Sequence, residues 1–406
     1  MAKLVQKIIF IVVISSFLLL VLNPSITASD NLKENTSSSD LVFDKYMDLL
    51  MKIGHMPSTA VCAIKDDEVV FTKAYGTYDL ENNKAAELDT IYQIGSIGKC
   101  ITSTALMQFF ERGFFELDDN INDYLPFEIK NPNFPNINIT FRMLLAHHSS
   151  IIDNYDACHI AEGDPEIDTT QYLKRILVPN ESLYIPDIWS KTQKPGDAYH
   201  YSNVGYGIIG VLVEIFSNQT LNDYCKENIF YPLDMYNTSY RLYDIDVNRA
   251  APIYDFFKGE YSRHIHFSWI PHGCGNVRST IVDLSHFLMA HMNGGVYKEV
   301  RILNESTVKI MHSSQYDDYK EYGLGFFNAS YIRDKKIVGH NGWPYNKMYF
   351  IPSEDMGFIV ISHSVGYPFS NVEGSVSIPC SINNYIMFKI TSVIMRTLYL
   401  KLRMEK

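Results

Sequence analysis

The chain has 406 residues, of which 46% are hydrophobic, 20% charged and 13% aromatic, and its formal net charge is -11. This length and composition supply a sizeable core, which excludes a disordered, collagen-like or small disulfide-scaffold protein. No basic block stands out against the acidic balance, so neither nucleic acid nor an anionic membrane surface is an expected partner.

The first 28 residues have the features of a secretory signal peptide. Lys3 and Lys7 precede an apolar run over residues 8–22, and Ala28 offers a small residue at a cleavage point. The run is shorter than the roughly 20 residues that cross a bilayer. We therefore expect a secreted protein, or one in the lumen of the secretory or lysosomal pathway, without a membrane span after cleavage. An uncleaved signal anchor that tethers the chain to the membrane is the alternative.

Asparagine sequons and cysteines are compatible with that route. Each sequon is a weak signal alone, because chance matches are common in an Asn-rich chain. The cysteines are widely spaced and select no pairing, so disulfides and buried free thiols both stay open. The seven sequons begin at Asn35, Asn138, Asn180, Asn218, Asn237, Asn304 and Asn328, and the cysteines are Cys62, Cys100, Cys158, Cys225, Cys274 and Cys380.

Hydrophobic periodicity predicts the elements that follow a polar leader over residues 29–40. Helical patterns cover residues 40–54, 96–112, 283–293 and 383–403. Runs rich in β-formers cover residues 59–65 and 68–73, as a hairpin, and 328–332, 336–340, 345–351 and 357–363, as an antiparallel meander. The sequence therefore predicts an α+β fold in one domain, residues 41–406. Its antiparallel sheet is flanked by N- and C-terminal helices, and a mainly helical region is inserted over about 115–270.

A serine and a lysine stand three residues apart at the start of the second helical pattern. The i, i+3 spacing places the Ser96 hydroxyl and the Lys99 amine on one helix face. A buried lysine amine has a lowered pKa and becomes able to accept a proton from the serine. Taken alone, Ser-x-x-Lys is a weak pattern, since both residues are common.

Two further patterns add polar groups suited to acyl transfer. Tyr201 and Asn203 stand two residues apart, and a tyrosine near a lysine can act as a base while an asparagine amide holds a carbonyl. His340, Asn341 and Gly342 end a predicted strand, and the next backbone N–H, that of Trp343, is placed to complete an oxyanion hole. Singly, each pattern is more often structural than functional.

Together and in this order, the three patterns resemble the serine β-lactamase-like family, in its class C β-lactamase, D-alanyl-D-alanine carboxypeptidase and related esterase branch. Residues 92–99 are similar to the nucleophile segment of that family, 144–150 to its Leu-Leu-x-His-x-Ser loop, and 199–210 to its Tyr-Ser-Asn helix. The resemblance extends from about residue 42 to 400. It implies the β-lactamase/transpeptidase-like fold.

The resemblance also implies a role for each candidate residue. Ser96 would be the acylated nucleophile, Lys99 its proton partner, and Tyr201 the base. Asn203 would hold the substrate amide. His340, which stands with Asn341 and Gly342 at the end of the strand, would face the anionic end of the substrate or the Tyr201 oxygen. The backbone N–H groups of Ser96 and Trp343 would bind the oxyanion. The implied function is a serine hydrolase acting on a small-molecule or peptide substrate through an acyl-enzyme.

Two positions depart from the pattern of the family. Gly98 stands where serine or threonine usually precedes the lysine, which would loosen the helix turn. His340 replaces a lysine, and a histidine is charged mainly below about pH 6.5. A β-lactam carboxylate would then be held less firmly at neutral pH. We therefore expect a D-amino-acid peptide, ester or lactone as substrate, and activity that rises as His340 becomes charged.

Other interpretations of the sequence carry less weight. Residues 205–210 match Gly-x-Gly-x-x-Gly, but no buried strand precedes them, so close helix packing is favoured over a dinucleotide site. The pairs His147-His148 and His264-x-His266 have no Cys or Glu at ligand spacing, so we expect no metal and no cofactor. The main alternative to an enzyme is a catalytically inactive relative that serves as a binding or scaffolding protein.

Overall fold

The computed structural model describes residues 38–152, 157, 159–257, 259–332, 335–365, 370–372, 375–377 and 382–404. The predicted signal peptide, most of the leader, Asn35, Cys158 and Cys380 lie outside these residues. The α-helices in the described part are α1 Ser38–Ile53, α2 Gly98–Glu111, α3 Phe141–Leu145, α4 Thr169–Leu177, α5 Asn203–Ser217, α6 Leu221–Cys225, α7 Ile281–Met292, α8 Glu305–Met311 and α9 Ile382–Met404.

The strands fall into one large sheet and several short pairs. The N-terminal strands are β1 Ser58–Lys65, β2 Glu68–Asp79, β3 Lys84–Ala85 and β4 Tyr92–Gln93. The middle strands are β5 Ile160–Glu162, β6 Tyr254–Phe257, β7 Glu260–Arg263, β8 Phe267–Trp269, β9 Arg278–Ser279, β10 Val296–Tyr297 and β11 Val300–Arg301. The C-terminal strands are β12 Phe327–Ile332, β13 Lys335–Gly342, β14 Asn346–Ile351, β15 Met356–Ser362, β16 Ser364–Val365, β17 Ser370–Val372 and β18 Ser375–Ser377.

A seven-stranded antiparallel sheet joins the two ends of the domain. Its strand order is β12-β13-β14-β15-β1-β2-β3. Strand β1 pairs with β2 on one side and with β15 on the other, so the predicted hairpin and the predicted meander form one continuous sheet. The α+β prediction is confirmed, and β2 extends six residues beyond the predicted run, from residue 73 to Asp79.

Alternation along β1 fills a separate core on each face of the sheet. Cys62 lies opposite Ile359, and both face the larger core, which the helical region completes. Val61 lies opposite Val360, and both face a second core that α1 and α9 cover. Because every second side chain of a strand points to the same face, a strand buried on both faces carries few polar residues.

The two terminal helices form the outer layer over the second core. In α1 the buried face carries Phe43 and Met47, whereas Leu49 and Ile53 are 44% and 42% exposed. Helical spacing predicts one buried apolar stripe of Tyr46, Leu49, Leu50 and Ile53; Tyr46 and Leu50 are buried, but for Leu49 and Ile53 the prediction is wrong. Lys401 of α9 forms an ion pair with Asp40 of α1 at 2.9 Å, which joins the two helices.

The inserted region packs around α2, which is buried from Gly98 to Phe109. Helix α5 lies against α2, and the segment 271–274 packs between them. The region also contains short strands, since β5 pairs with β8 and β6 with β7. Within the described residues, no single helix is long and apolar enough to cross a membrane; only one bent pair, Asn203–Ser217 with Leu221–Phe230, has a suitable length and composition.

Four of the cysteines are free thiols inside the protein. Cys62, Cys100, Cys225 and Cys274 are all buried. Burial raises the pKa of the Cys62 thiol to about 12, because the thiolate loses its hydration. These four side chains are therefore packing residues rather than reactive nucleophiles.

Packing of α9 on the sheet predicts a large stability effect from one truncation. Leu398 is fully buried, so Leu398→Ala is expected to lower the free energy of unfolding by about 2–5 kcal/mol, since it leaves a cavity. Leu49→Ala is the matched control, with an expected change within about 0.5 kcal/mol. Urea unfolding of both variants measures the difference, and equal effects would contradict the packing.

Candidate active site

The predicted nucleophile lies in a single 3₁₀ turn, Gly95–Ile97, directly before α2. The end of β13 packs against this turn. A Cβ atom on Gly95, whose φ is +57°, would lie 2.3 Å from the carbonyl oxygen of Trp343. A Cβ atom on Gly342 would lie 2.0 Å from the carbonyl oxygen of Ile94. Glycine at both positions therefore allows the backbone at the end of β13, which carries His340 to Gly342, to lie beside Ser96.

The buried amine of Lys99 contacts both Ser96 and Asn203, and so connects the Ser-x-x-Lys segment with the Tyr-x-Asn segment. Its Nζ donates to Ser96 Oγ at 3.2 Å, to Asn203 Oδ1 at 2.7 Å and to the Cys274 carbonyl at 2.7 Å. The lysine is fully buried, and an ammonium has three N–H donors, which these three oxygens match. The arrangement orients the Ser96 oxygen towards the lysine and compensates the buried charge.

The Tyr201 ring lies directly beside this ammonium. The Lys99 Nζ is 4.8 Å from the centre of the Tyr201 ring and 5.5 Å from that of Tyr206. Tyr201 is partly exposed, and it packs on His147 with ring centroids 4.4 Å apart. A cation near a phenol favours the phenolate, so the position suits Tyr201 to proton transfer.

Asn203 is the first residue of α5. The side chain of Ser202 accepts a hydrogen bond from the Gly205 N–H at 3.0 Å and caps the helix, which fixes the direction of the next residue. Because Asn203 Oδ1 accepts from Lys99, the amide NH2 group is the side of Asn203 that can donate to a substrate carbonyl.

His340 lies in the same group of residues, but it is buried and neutral. Its Nε2 lies 3.1 Å from the Tyr322 hydroxyl, and its Nδ1 faces the Asn341 carbonyl. Burial, together with the positive charge of Lys99, lowers the pKa of His340 to about 3. The expectation that His340 becomes charged below about pH 6.5 is therefore wrong, and it no longer supports a rise of activity with this charge.

Asn341 was predicted to bind substrate, and its side chain lies elsewhere. In the β13–β14 register it pairs with Lys347, and Lys347 Nζ donates to Asn341 Oδ1 at 2.9 Å. Since neighbouring residues of a strand face opposite sides, the Asn341 amide points away from the face that carries His340. Trp343 remains at the edge of the site, partly exposed, with its ring 5.7 Å from Phe267 and 6.3 Å from Trp269.

Gly98, which was expected to loosen the helix turn, is held in a narrow space. It begins α2 with helical dihedral angles, and a Cβ atom there would lie 3.1 Å from the Val277 side chain and 3.5 Å from Gly275 Cα. The close approach of the segment that carries the Cys274 carbonyl explains a small residue at this position.

Three contributors to the site were missed by the sequence analysis. The Cys274 carbonyl holds Lys99, and a backbone oxygen leaves no sequence signal. His147 contacts Tyr201, and its position in the Leu-Leu-x-His-x-Ser loop could have indicated it. Tyr322 bridges His147 and His340, at 3.2 and 3.1 Å, and it lies in a segment without periodicity.

The glycine-rich stretch 205–210 lies on α5 and serves helix packing. A Cβ atom on Gly207 would lie 2.7 Å from Pro271, and one on Gly210 would lie 3.3 Å from Gly273. In the described part of the chain, no group of three or more His, Cys, Asp or Glu side chains is arranged to hold a metal ion. His148 and His264 instead contact the carboxylates of Asp318 and Asp255, at 3.0 and 2.7 Å.

The family model of the β-lactamases matches residues 43–377 of this chain. The chain belongs to the β-lactamase family. A curated relative, Protein flp of Staphylococcus aureus, is 24% identical over 341 residues, which cover 81% of this chain and 64% of that protein. The chain thus spans less than two thirds of the length of that relative.

Solved structures of the β-lactamase type share the fold. The D-amino acid amidase of Ochrobactrum anthropi superposes with a TM-score of 0.71 at 17% identity, over 90% of this chain and 99% of that chain. EstCE1, a hydrolase with promiscuous acyltransferase activity, superposes with a TM-score of 0.69 at 16% identity, over 89% and 100% of the two chains. At these identities the likeness establishes the fold of this β-lactamase family member.

Buried histidines predict that acid destabilises the protein. Burial lowers the pKa values of His291, His340 and His363 to about 3, whereas the same residues in the unfolded chain bind a proton below about pH 6.5. Stability is therefore lost as the pH falls from about 6.5 towards 3. At pH 5 each of these histidines is expected to cost about 2 kcal/mol.

Urea unfolding at pH 7 and at pH 5 measures this effect. The variant His363→Asn serves as the control, because it is expected to show a smaller loss between the two pH values. An unfolding free energy that is equal or higher at pH 5 would contradict the assignment of these histidines as neutral.

Proposed function

We propose that this protein is an active serine hydrolase that cleaves an amide or ester through an acyl-enzyme on Ser96. The observation that carries the proposal is the contact of one buried ammonium, that of Lys99, with both Ser96 Oγ and Asn203 Oδ1. A binding or scaffolding protein has no need of a buried cation directed at a partly exposed serine hydroxyl, and burying such a charge is costly.

The contacts support the following proton path. Since Lys99 donates to Ser96 Oγ, the hydroxyl proton of Ser96 leaves towards another acceptor, and the proposed acceptor is the phenolate of Tyr201, whose ring centre lies 4.8 Å from Lys99 Nζ. Ser96 Oγ forms a bond to the substrate carbonyl carbon, and Tyr201 takes its proton. The C–N or C–O bond to the leaving group then breaks, and Tyr201 returns the proton to that group.

Water completes the cycle by the same path. It attacks the carbonyl carbon of the acyl-enzyme while Tyr201 accepts its proton, and the bond to Ser96 Oγ breaks as Oγ recovers a proton. In both steps the backbone N–H groups of Ser96 and Trp343 stabilise the oxyanion. The close approach of Gly95 to the Trp343 backbone supports this role, because Gly95 directly precedes Ser96. Asn203 orients the substrate amide.

D-amino-acid peptides, esters and lactones are proposed as substrates ahead of β-lactams. A β-lactam carries a carboxylate. At the end of β13, where a lysine is common in the family, this chain has His340, which is neutral and provides no positive charge to bind that carboxylate. The amide group of Asn341 gives no compensation, because it lies against Lys347 on the other face of β13. A substrate panel of D-amino-acid amides, short esters, lactones and nitrocefin tests this order.

Kinetics of two variants test the proposed roles. Ser96→Ala is expected to reduce hydrolysis of the best panel substrate to background, and Tyr201→Phe to lower kcat by about 10²–10⁴, because proton transfer loses its base. Asn341→Ala is the control, with kcat close to wild type. Hydrolysis that survives Ser96→Ala would contradict the proposal, and a wild type inactive on the whole panel would favour the inactive binding or scaffolding protein.

We also propose that the chain follows the secretory route to a compartment near neutral pH. The basic and apolar pattern of residues 1–28 supports entry, and the neutral buried histidines disfavour an acidic lumen. Four sequon asparagines, Asn138, Asn180, Asn218 and Asn304, are exposed. By contrast, Asn328 Nδ2 donates to the His312 carbonyl at 3.2 Å.

Expression in a secretory host tests this route. We expect a product in the medium with glycans on the four exposed asparagines and none on Asn328, because its amide nitrogen already donates to the His312 carbonyl. Peptide mapping after glycosidase treatment locates the glycans. An unmodified product that stays inside the cell would contradict the proposal.

A further inference from the structure

A buried chain of hydrogen bonds connects the segment of Tyr201 and Asn203 to the end of β13, where His340 lies. The Ser202 N–H donates to His147 Nδ1 at 3.0 Å, and His147 Nε2 lies 3.2 Å from the Tyr322 hydroxyl. The same hydroxyl lies 3.1 Å from His340 Nε2, and His340 Nδ1 faces the Asn341 carbonyl. His147, Tyr322 and His340 are each 1% exposed, so water does not complete these bonds.

The two ends of the chain determine where its hydrogens lie. A backbone N–H only donates, so His147 Nδ1 is an acceptor and the hydrogen of this ring is on Nε2, directed at Tyr322. A backbone carbonyl only accepts, so His340 Nδ1 carries the hydrogen of the second ring. A further hydrogen on His340 Nε2 would create a buried cation near Lys99, so Nε2 accepts the Tyr322 hydrogen.

His340 therefore has no N–H to offer a substrate. Both of its ring nitrogens are used inside the protein, one by Tyr322 and one by the Asn341 carbonyl. Of the charged and titratable groups that face His340, Lys99 already donates to three oxygens, while His147 and Tyr322 belong to the chain itself. Tyr201, whose ring centre is 6.3 Å away, carries no positive charge.

We propose that Tyr322 is a positioning residue that holds His340 neutral, and that the site thereby selects substrates without a carboxylate on the leaving group. This inference rests on the proposed hydrolase function. The oxyanion position at Ser96 and Trp343 places the scissile carbonyl at the end of β13, so the adjoining part of the substrate lies along His340. A carboxylate there would lose its hydration without gaining a positive charge from His340, which disfavours its binding.

A matched pair of substrates tests the selection directly. Acetyl-D-alanyl-D-alanine and its C-terminal amide differ only in the charge of the leaving group. At pH 7.5 the wild type is expected to cleave the amide-terminated peptide with a kcat/KM at least about tenfold higher, a difference equivalent to about 1.4 kcal/mol. His340→Lys is expected to reverse this order, because it restores a cation.

The role of Tyr322 is tested by the pH dependence of the same ratio. In Tyr322→Phe, His340 Nε2 loses its donor and becomes able to bind a proton, so discrimination is expected to weaken at pH 5.5 and to persist at pH 8. A purely structural role would lower both rates together at every pH. Tyr316→Phe is the control, since the Tyr316 ring stacks on His148 outside the chain of bonds.

Nuclear magnetic resonance gives a readout that does not need turnover. In ¹⁵N-histidine-labelled wild type, the ring nitrogen shifts of His340, assigned by comparison with His340→Asn, are expected to show hydrogen on Nδ1 and none on Nε2 at pH 7. Hydrogen on Nε2 would overturn the inference even in an inactive protein. Preference for the carboxylate-terminated peptide would also overturn it while leaving the hydrolase proposal intact. Loss of all hydrolysis with the expected ring shifts would instead remove the hydrolase proposal and its selection.

Discussion

The buried ammonium of Lys99 is the interaction on which the rest of the site depends. An unpaired charge inside a protein costs several kcal/mol, and here three oxygens from three segments compensate it. Ser96 comes from the turn before α2, Asn203 from the start of α5, and the Cys274 carbonyl from the segment between these helices. The contacts of Lys99 therefore depend on the packing of α2, α5 and the segment 271–274 on one another, and glycine at positions 95, 98 and 342 leaves space for close neighbours. The same packing orients the Ser96 hydroxyl.

Much of the fold was predictable from the sequence, because alternation and helical spacing directly reflect burial. The hairpin β1–β2, the meander β12–β15 and helix α9 all lie where their patterns predicted them. Prediction failed where burial depends on distant partners. Leu49 fits the apolar stripe of α1 by spacing, yet the buried face of this helix includes Phe43 and Met47 and leaves Leu49 exposed. The proximity of Ser96, Lys99, Tyr201 and Asn203 was also predicted, because the motif order carried it. The neutral state of His340 and the bridge through Tyr322 were not, since charge state follows from burial and from neighbours far apart in sequence.

Neutral histidines connect the chemistry of the site with the conditions that suit the protein. His147 and His340 share one hydroxyl, that of Tyr322, and each keeps one ring nitrogen as an acceptor. Protonation of either ring would break a buried hydrogen bond and place a second cation near Lys99. We propose that this chain of hydrogen bonds favours uncharged substrates and neutral pH together, whereas a lysine at position 340 would be charged at any physiological pH. The departure of the third motif from the family pattern is therefore a change in the charge of the site rather than a loss of the site.

We propose that Ser96 is a nucleophile activated by its neighbours. The most direct test is the reaction of the full chain with a fluorophosphonate at pH 7.5, followed by peptide mapping by mass spectrometry. We expect one stoichiometric adduct, located on Ser96, which is absent from Ser96→Ala and forms much more slowly in Tyr201→Phe. A folded wild-type protein that remains unlabelled, or an adduct that maps to another residue, would contradict it.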